Sequence, residues 1–285
     1  MENDSLSIVG ITAALPYIQK YSGKIVVVKY GGNAMTSESL KKAVMSDIVL
    51  LAQLGIKVVL VHGGGPDITS TMNALGLEAK FINGLRYTDE ATIDVVQMVL
   101  CGKTNKNLVK LVDNFGGKAI GLSGLDGAMI KAKKIDKGVD LGFVGDITAI
   151  NSQPILDVMD KGYIPVIAAV GVDENNQVYN INADTAAAAI AVELKAESII
   201  LMTDIKGLMH DPDDDSSLIS DAGIADLEEY IESGVVKGGM IPKVRCCMDV
   251  VNSGVPKAFM IDGRVEHSIL IKMLSEESIG TEIHE

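Results

Sequence analysis

Continuous apolar runs alternate with stretches of helical spacing along most of the chain. Runs rich in β-branched residues occur at 25–28, 58–61, 119–122, 164–168, 198–202 and 258–261. A run without polar alternation is what a strand covered on both faces requires, so these predict buried parallel strands. Between them, 40–54, 88–114, 151–161, 183–194 and 243–253 have the spacing and composition of crossover helices. The alternation predicts an α/β fold, a three-layer sandwich around a mainly parallel open sheet. Segments 131–146 and 172–180 are short, polar and turn-rich, and predict β-hairpins forming a flap or edge beside that sheet. Ahead of the first strand, Leu6, Val9, Ala13, Ile18 and Tyr21 fall at helical spacing around Pro16, which predicts a kinked amphipathic helix. The tract 211–217, with four aspartates and two serines, reads as a solvated loop, and a lobe boundary is expected near residue 190.

Composition narrows the function. With 285 residues, 47% hydrophobic content and 29 glycines against 4% aromatics, the chain can bury a full core and has glycine to spare for strand-to-helix turns. The net charge of −13 argues against nucleic acid as a partner, because binding a phosphate backbone needs a basic surface. An anionic substrate must therefore meet local positive charge. Cys101, Cys246 and Cys247 form no C-x-x-C pair and read as reduced structural thiols. The acidic start Met1-Glu2-Asn3-Asp4 does not have the form of a secretory signal, and the apolar stretch 49–61 is broken by Gln53 and Lys57 before reaching membrane length. A cytoplasmic protein without a membrane partner is expected.

Four segments carry candidate chemistry. In the first, a buried strand ends in Lys29-Tyr30-Gly31-Gly32-Asn33. Glycines let the backbone approach phosphate oxygens and the following helix start adds partial positive charge, although a tight turn alone would also explain the pair. A lysine at the carboxyl end of a parallel strand lies where open α/β sheets bind ligands. The second, His62-Gly63-Gly64-Gly65-Pro66-Asp67, repeats the arrangement, and three successive glycines exceed what a turn needs. His62 reads as a structural hydrogen-bonding residue rather than a base. The third is Tyr179-Asn180-Ile181-Asn182-Ala183-Asp184, in which Asn180 and Asn182 can face one ligand while Asp184 opens a helix; capping by Asn182 or Asp184 accounts for one of the three. The fourth is Gly238-Gly239-Met240-Ile241-Pro242-Lys243, where a lysine at a helix start opposes the helix dipole and calls for a nearby anion. Arg86, expected between a strand and a helix capped by Thr88, has the planar fork that clamps a carboxylate, though a surface role fits the residue type equally. The chain contains neither G-x-x-x-x-G-K-[ST] nor a G-x-G-x-x-G after its first strand, so phosphate handling rests on separate glycine turns and isolated lysines.

These segments, in this order and over nearly the full chain, resemble the amino acid kinase family, most closely its arginine-inhibited branch that phosphorylates N-acetyl-L-glutamate. The resemblance implies transfer of the γ-phosphoryl group of ATP, carried with Mg2+ and without a separate metal site, to the side-chain carboxylate of that substrate in arginine biosynthesis. It implies Lys29 and Lys243 as catalytic cations held by Asp184, with Gly32 and Gly64 as backbone donors. Gly64, Gly65, Arg86 and Asn180 would bind the acyl amino acid. Gly32, Thr203, Asp204, Gly207 and Lys243 would border the nucleotide. The division implied is 1–23 as an oligomerising helix, 24–190 as the acetylglutamate lobe with a dimer interface, and 191–285 as the ATP lobe with an L-arginine site near His267 and Gly280, in the segments 267–270 and 278–281, the latter opening on Ser278. The resemblance implies that this helix interlaces dimers into a homohexameric ring. Ala169, Leu125 and Lys272 depart from the family pattern, and Lys272 puts a cation where an arginine ligand prefers a carboxylate. Alternatives within the family are kinases of another carboxylate or of carbamate. Outside catalysis, the alternative is a silent module that senses nucleotide and arginine.

Overall fold

The computed structural model describes residues 2–211, 213–277 and 279–285, with the side chains of 2–11, Asn33 and Ala34 excluded. Pro212 of the acidic tract, Ser278 of the expected arginine stretch and the side chains of Leu6 and Val9 thus lie outside the described residues.

The main sheet comprises β1 (Ile25–Tyr30), β2 (Lys57–His62), β5 (Ala119–Ser123), β8 (Ile164–Ala168), β11 (Ser198–Thr203), β14 (Asp221–Gly223), β15 (Lys257–Asp262) and β16 (Thr281–His284). Its order is β14-β16-β15-β11-β1-β2-β8-β5, parallel throughout except where β16 meets β15. Successive strand residues face opposite sides, so an unbroken apolar run feeds two cores. Val27, Val59, Val61, Ile199 and Leu201 pack into one, against α7 (Ala183–Glu193), α8 (Ile224–Glu232) and α9 (Met240–Asn252). Val26, Val28, Tyr30, Val58, Leu60, Ile200 and Met202 pack into the other, against α2 (Glu38–Gln53), α5 (Asn105–Asn114) and α10 (Ser268–Leu274). These are the three expected layers. The N-terminal helix α1 (Glu2–Tyr21) runs through Pro16 and lies against α10.

The two expected hairpins are present and join. β6 (Ile130–Lys134) pairs antiparallel with β7 (Gly145–Ile150), and β9 (Val170–Val172) with β10 (Val178–Asn180). A β6–β9 contact makes them one four-stranded sheet rather than separate flaps. Two short ribbons complete the strands, β3 (Phe81–Ile82) with β4 (Leu85–Arg86), and β12 (Leu208–Met209) with β13 (Leu218–Ile219).

The helix expected over 88–114 needs correction. α4 (Glu90–Gln97) passes through a π-helical turn, Met98–Thr104, before α5 resumes. Its N-cap is Asp89, which accepts the Thr92 amide at 2.9 Å, and not Thr88. α3 (Gly65–Ala74), α4 and the π turn enclose a third, smaller core around Ile68, Met72, Val96 and Leu100.

Candidate active site

β1 lies between β2 and β11, so strands following it in the chain leave on both sides and its carboxyl end is a switch point of the sheet. Lys29, the penultimate residue of β1, meets Asp184 there: Nζ is 2.9 Å from Oδ1. Lys243, in the first turn of α9, reaches Oδ2 of the same carboxylate at 2.8 Å. The three side chains are 10%, 15% and 29% exposed for Lys29, Asp184 and Lys243, so Lys29 and Asp184 are largely withdrawn from solvent while Lys243 is the most accessible of the three. Asp184 sits in the first turn of α7, where the helix dipole favours an anion, and Asn182 caps that helix by accepting the Asp184 and Thr185 amides. Burial pushes the Asp184 carboxyl up, but the neighbouring Lys29 and Lys243 charges outweigh it and hold the group below the usual carboxylate range. The anion that Lys243 required at its helix start is thus Asp184. Two cations on one anion leave an excess positive charge facing the crevice.

The glycine turn after β1 fits around this cluster. A Cβ on Gly31 would lie 2.9 Å from Lys29 Nζ, because the ammonium group folds back over the turn. Gly32 adopts φ +68°, and a Cβ there would meet Asp204 Oδ1 at 2.8 Å. The same turn therefore brings Asp204, expected on the nucleotide side, against the expected phosphate donor Gly32.

The second glycine turn abuts the first turn of α7: a Cβ on Gly63 would touch Ala183 Cβ at 3.4 Å. Gly64 is covered by the π turn, with Leu100 Cδ2 2.6 Å from where its Cβ would be, and Thr104 Oγ1 donates to Asp67 Oδ2 at 2.9 Å in the first turn of α3. Arg86 is buried beside this turn. Its Nη2 donates to the Gly65 carbonyl at 3.0 Å and to Thr69 Oγ1 at 2.8 Å, and its guanidinium lies 4.7 Å from the Phe81 ring centroid. Among the described residues no carboxylate pairs with Arg86, so none of them neutralises its positive charge. Asn180 Nδ2 donates to Thr88 Oγ1 at 3.2 Å, and Thr88 donates to the Arg86 carbonyl at 2.9 Å. Hydrogen bonds thus connect Arg86 to Gly65, the residue after Gly64, and, through Thr88, to Asn180. A cavity of about 580 Å³ lies against Gly65, Thr69, Phe81 and Arg86.

The other expected residues sit further out. Thr203 Oγ1 is engaged with the carbonyls of Ile205 and Ile261 at the end of β11. Gly207 has φ +147° and faces Thr281 and Gly280, so its lack of a side chain serves packing of the last strand. Gly280, at φ +66°, has the Met260 carbonyl oxygen 2.2 Å from where a Cβ would be. Gly280→Ala is therefore expected to destabilise the fold by about 1–3 kcal/mol, through strain and backbone collision, seen as a lowered thermal midpoint with or without arginine. His267 adopts φ +58° and pairs through Nδ1 with Asp47 Oδ1 at 2.6 Å. Asp47 lies wholly inside the core face of α2, and burial raises its carboxyl to about 6 despite that partner. A carboxylate among Val44, Met45 and Ile48 was the signal available for it in the sequence.

A model of the amino acid kinase family matches residues 24–262. The acetylglutamate kinase of Clostridium kluyveri is 56% identical over 274 residues, covering 96% of this chain and 97% of that protein. That of Clostridium beijerinckii is 55% identical over 272 residues, covering 95% of each. The carbamate kinase of Giardia lamblia bound to AMP-PNP superposes with a TM-score of 0.67 at 16% identity, covering 93% of this chain and 99% of that one, a likeness of fold. The match to the family model and the identity to its curated relatives extend over the same glycine turns and lysines that form the crevice, and the chain belongs to the amino acid kinase family.

Proposed function

We propose that this chain is an acetylglutamate kinase, transferring the γ-phosphoryl group of MgATP to the side-chain carboxylate of N-acetyl-L-glutamate in arginine biosynthesis. The observation that carries the chemistry is the pair of lysines fixed on one buried carboxylate at the switch point of the sheet. A carboxylate oxygen of the substrate attacks the γ-phosphorus, the bond to the β,γ-bridging oxygen breaks, and ADP leaves with both electrons of that bond. The nucleophile is already an anion, so no general base is needed, and the protein's task is alignment and charge stabilisation. Lys29 and Lys243 stabilise the oxygens of the moving group, Asp184 fixes their separation, and the Gly32 and Gly64 amides supply further donors. Arg86 receives the α-carboxylate of the acceptor, a buried cation meeting the anion it lacks. Thr203, Asp204 and Gly207 line the approach of the nucleotide, whose magnesium arrives with it.

Regulation by L-arginine follows the same reading. Between α1 and the last strand, Tyr17, Lys20, Lys272, Glu276, Glu277 and Glu282 border a cavity of about 240 Å³. Lys272 lies 3.8 Å from Glu282 and 5.2 Å from the Phe259 ring centroid, so the cation foreign to the family pattern is partly neutralised in place. His267, Gly280 and α1 belong to this inhibitory device in the proposal, with α1 assembling a homohexamer in the cytoplasm. No described helix is long and apolar enough to cross a membrane.

The test is chemical. With MgATP, N-acetyl-L-glutamate is expected to give an acyl phosphate trapped by hydroxylamine, while free glutamate, aspartate and carbamate give far less. Preference for a free amino acid would overturn the assignment. Unchanged activity and assembly in millimolar arginine would overturn the regulatory part alone.

A further inference from the structure

His62 ends β2 with no exposed surface and takes no part in the chemistry above. Its Nδ1 is 2.8 Å from the Gly63 carbonyl oxygen. A carbonyl only accepts, so Nδ1 carries the proton and Nε2 is bare. Nε2 lies 3.1 Å from Asn105 Nδ2, a donor-only atom whose two hydrogens serve this nitrogen and two carbonyls. The Asn105 amide cannot turn round, because its Nδ2 also faces the carbonyls of Val166 at 2.8 Å and Leu122 at 3.1 Å, while Oδ1 accepts from Lys106 Nζ at 3.1 Å. Gly121 makes room for this amide: a Cβ there would lie 1.9 Å from Asn105 Oδ1. Protonating Nε2 would set a donor against the Asn105 donor. Burial acts in the same direction, with Lys106 adding to it, lowering the His62 pKa to about 4 against the smaller upward pulls of the Gly63 carbonyl and Asp67.

We propose that His62, locked by Asn105 as a neutral Nδ1–H imidazole, is a positioning residue that aims the Gly64 amide at the transferring phosphoryl group. This rests on the kinase reading above. In a planar trans peptide the C=O and the next N–H point in opposite directions. The imidazole lies in the core and holds the Gly63 carbonyl toward it, so the Gly64 N–H of the same peptide points the opposite way, which in this proposal is toward the phosphoryl group. Three consecutive glycines have little intrinsic preference between the two orientations of that peptide. The flipped orientation would present a carbonyl to the phosphate oxygens, and the imidazole strut removes it. α5 takes part because the π turn before it places Asn105 against the carbonyls of Leu122 in β5 and Val166 in β8.

His62→Gln keeps an amide near Nε2 and loses the donor to Gly63, whereas His62→Asn places a donor near Nδ1. His62→Gln is expected to lower kcat by about 10²-fold, the scale of a small misplacement at a reacting centre, with the KM for ATP changed by less than about twofold. His62→Asn is expected to recover at least about tenfold of that loss. In the wild-type protein, nitrogen-15 shifts of His62 should report Nδ1–H and bare Nε2 without titration between about pH 5.5 and 8. An Nε2–H tautomer, a titration in that range, or equal losses in both variants that follow the thermal midpoint would overturn the proposal. Wild-type protein making no acyl phosphate would refute the kinase reading and leave the tautomer result standing.

Discussion

Lys29→Ala and Lys243→Ala are each expected to lower kcat by about 10²-fold or more, the scale for losing one preorganised donor to developing charge. Each variant leaves Asp184 with one cation, since the two lysines occupy different oxygens of the carboxylate at 2.9 and 2.8 Å. The fold should therefore survive either change, and thermal midpoints should stay close to wild type while turnover falls. Removing both lysines differs in kind. Asp184 would be buried without a cation, and burial, which is already the largest influence on its pKa, would act unopposed. The double variant is expected to lose stability as well as activity, so its ΔΔG will not be the sum of the single ones. The measurement is the rate of hydroxylamine-trapped product at saturating MgATP and acetylglutamate. Wild-type turnover no faster than that of the single variants would mean a silent sensing module.

Parallel strands buried on both faces leave the strongest mark on a sequence, and each of the six expected strands lies within an observed one. Short elements at the chain's end leave little: β14 has three residues and α10 seven, too few for a period to show. The π turn was hidden for another reason. Residues 98–104 are apolar enough to continue a helix, and the extra residue in the turn is set by packing of Leu100 over Gly64 and of Thr104 on Asp67. At the site, Lys243 was legible because a cation at a helix start is costly unless an anion is near, and Lys29 because it stands at the carboxyl end of a parallel strand; their meeting on Asp184 was implied only by the family resemblance. Asn182 proved to be the helix cap, the bland alternative. The partners of Asp47, Thr88 and Asn105 could not be read from the sequence because they lie far along the chain: Asp47 meets His267, Thr88 meets Asn180, and Asn105 reaches Val166. Gly207 and Gly280 are in addition close-packed against neighbouring chain, a reason for glycine at both positions that one dimension does not show.

Arg86→Ala is expected to raise the KM for N-acetyl-L-glutamate by about 10²-fold, with the KM for ATP little changed, since a desolvated cation loses most when its anion is bound. Arg86→Lys should recover little of this. The guanidinium plane lies over Phe81 while Nη2 spans to the Gly65 carbonyl and Thr69, and an ammonium group can reproduce neither the plane nor the fork. Loss of the Gly65 contact also loosens the turn that carries Gly64, so a smaller fall in kcat is expected alongside the KM effect. The two contributions separate with a truncated acceptor. 4-Acetamidobutanoate keeps the carboxylate that is phosphorylated and lacks the α-carboxylate, so it has nothing for the guanidinium to hold. With that substrate the wild-type enzyme and Arg86→Ala should differ only by the part that acts through Gly65, and the large KM difference should vanish. If Arg86→Ala depresses kcat/KM for both acceptors equally, Arg86 shapes the turn without binding the substrate, and the anion that neutralises it must be sought on the nucleotide.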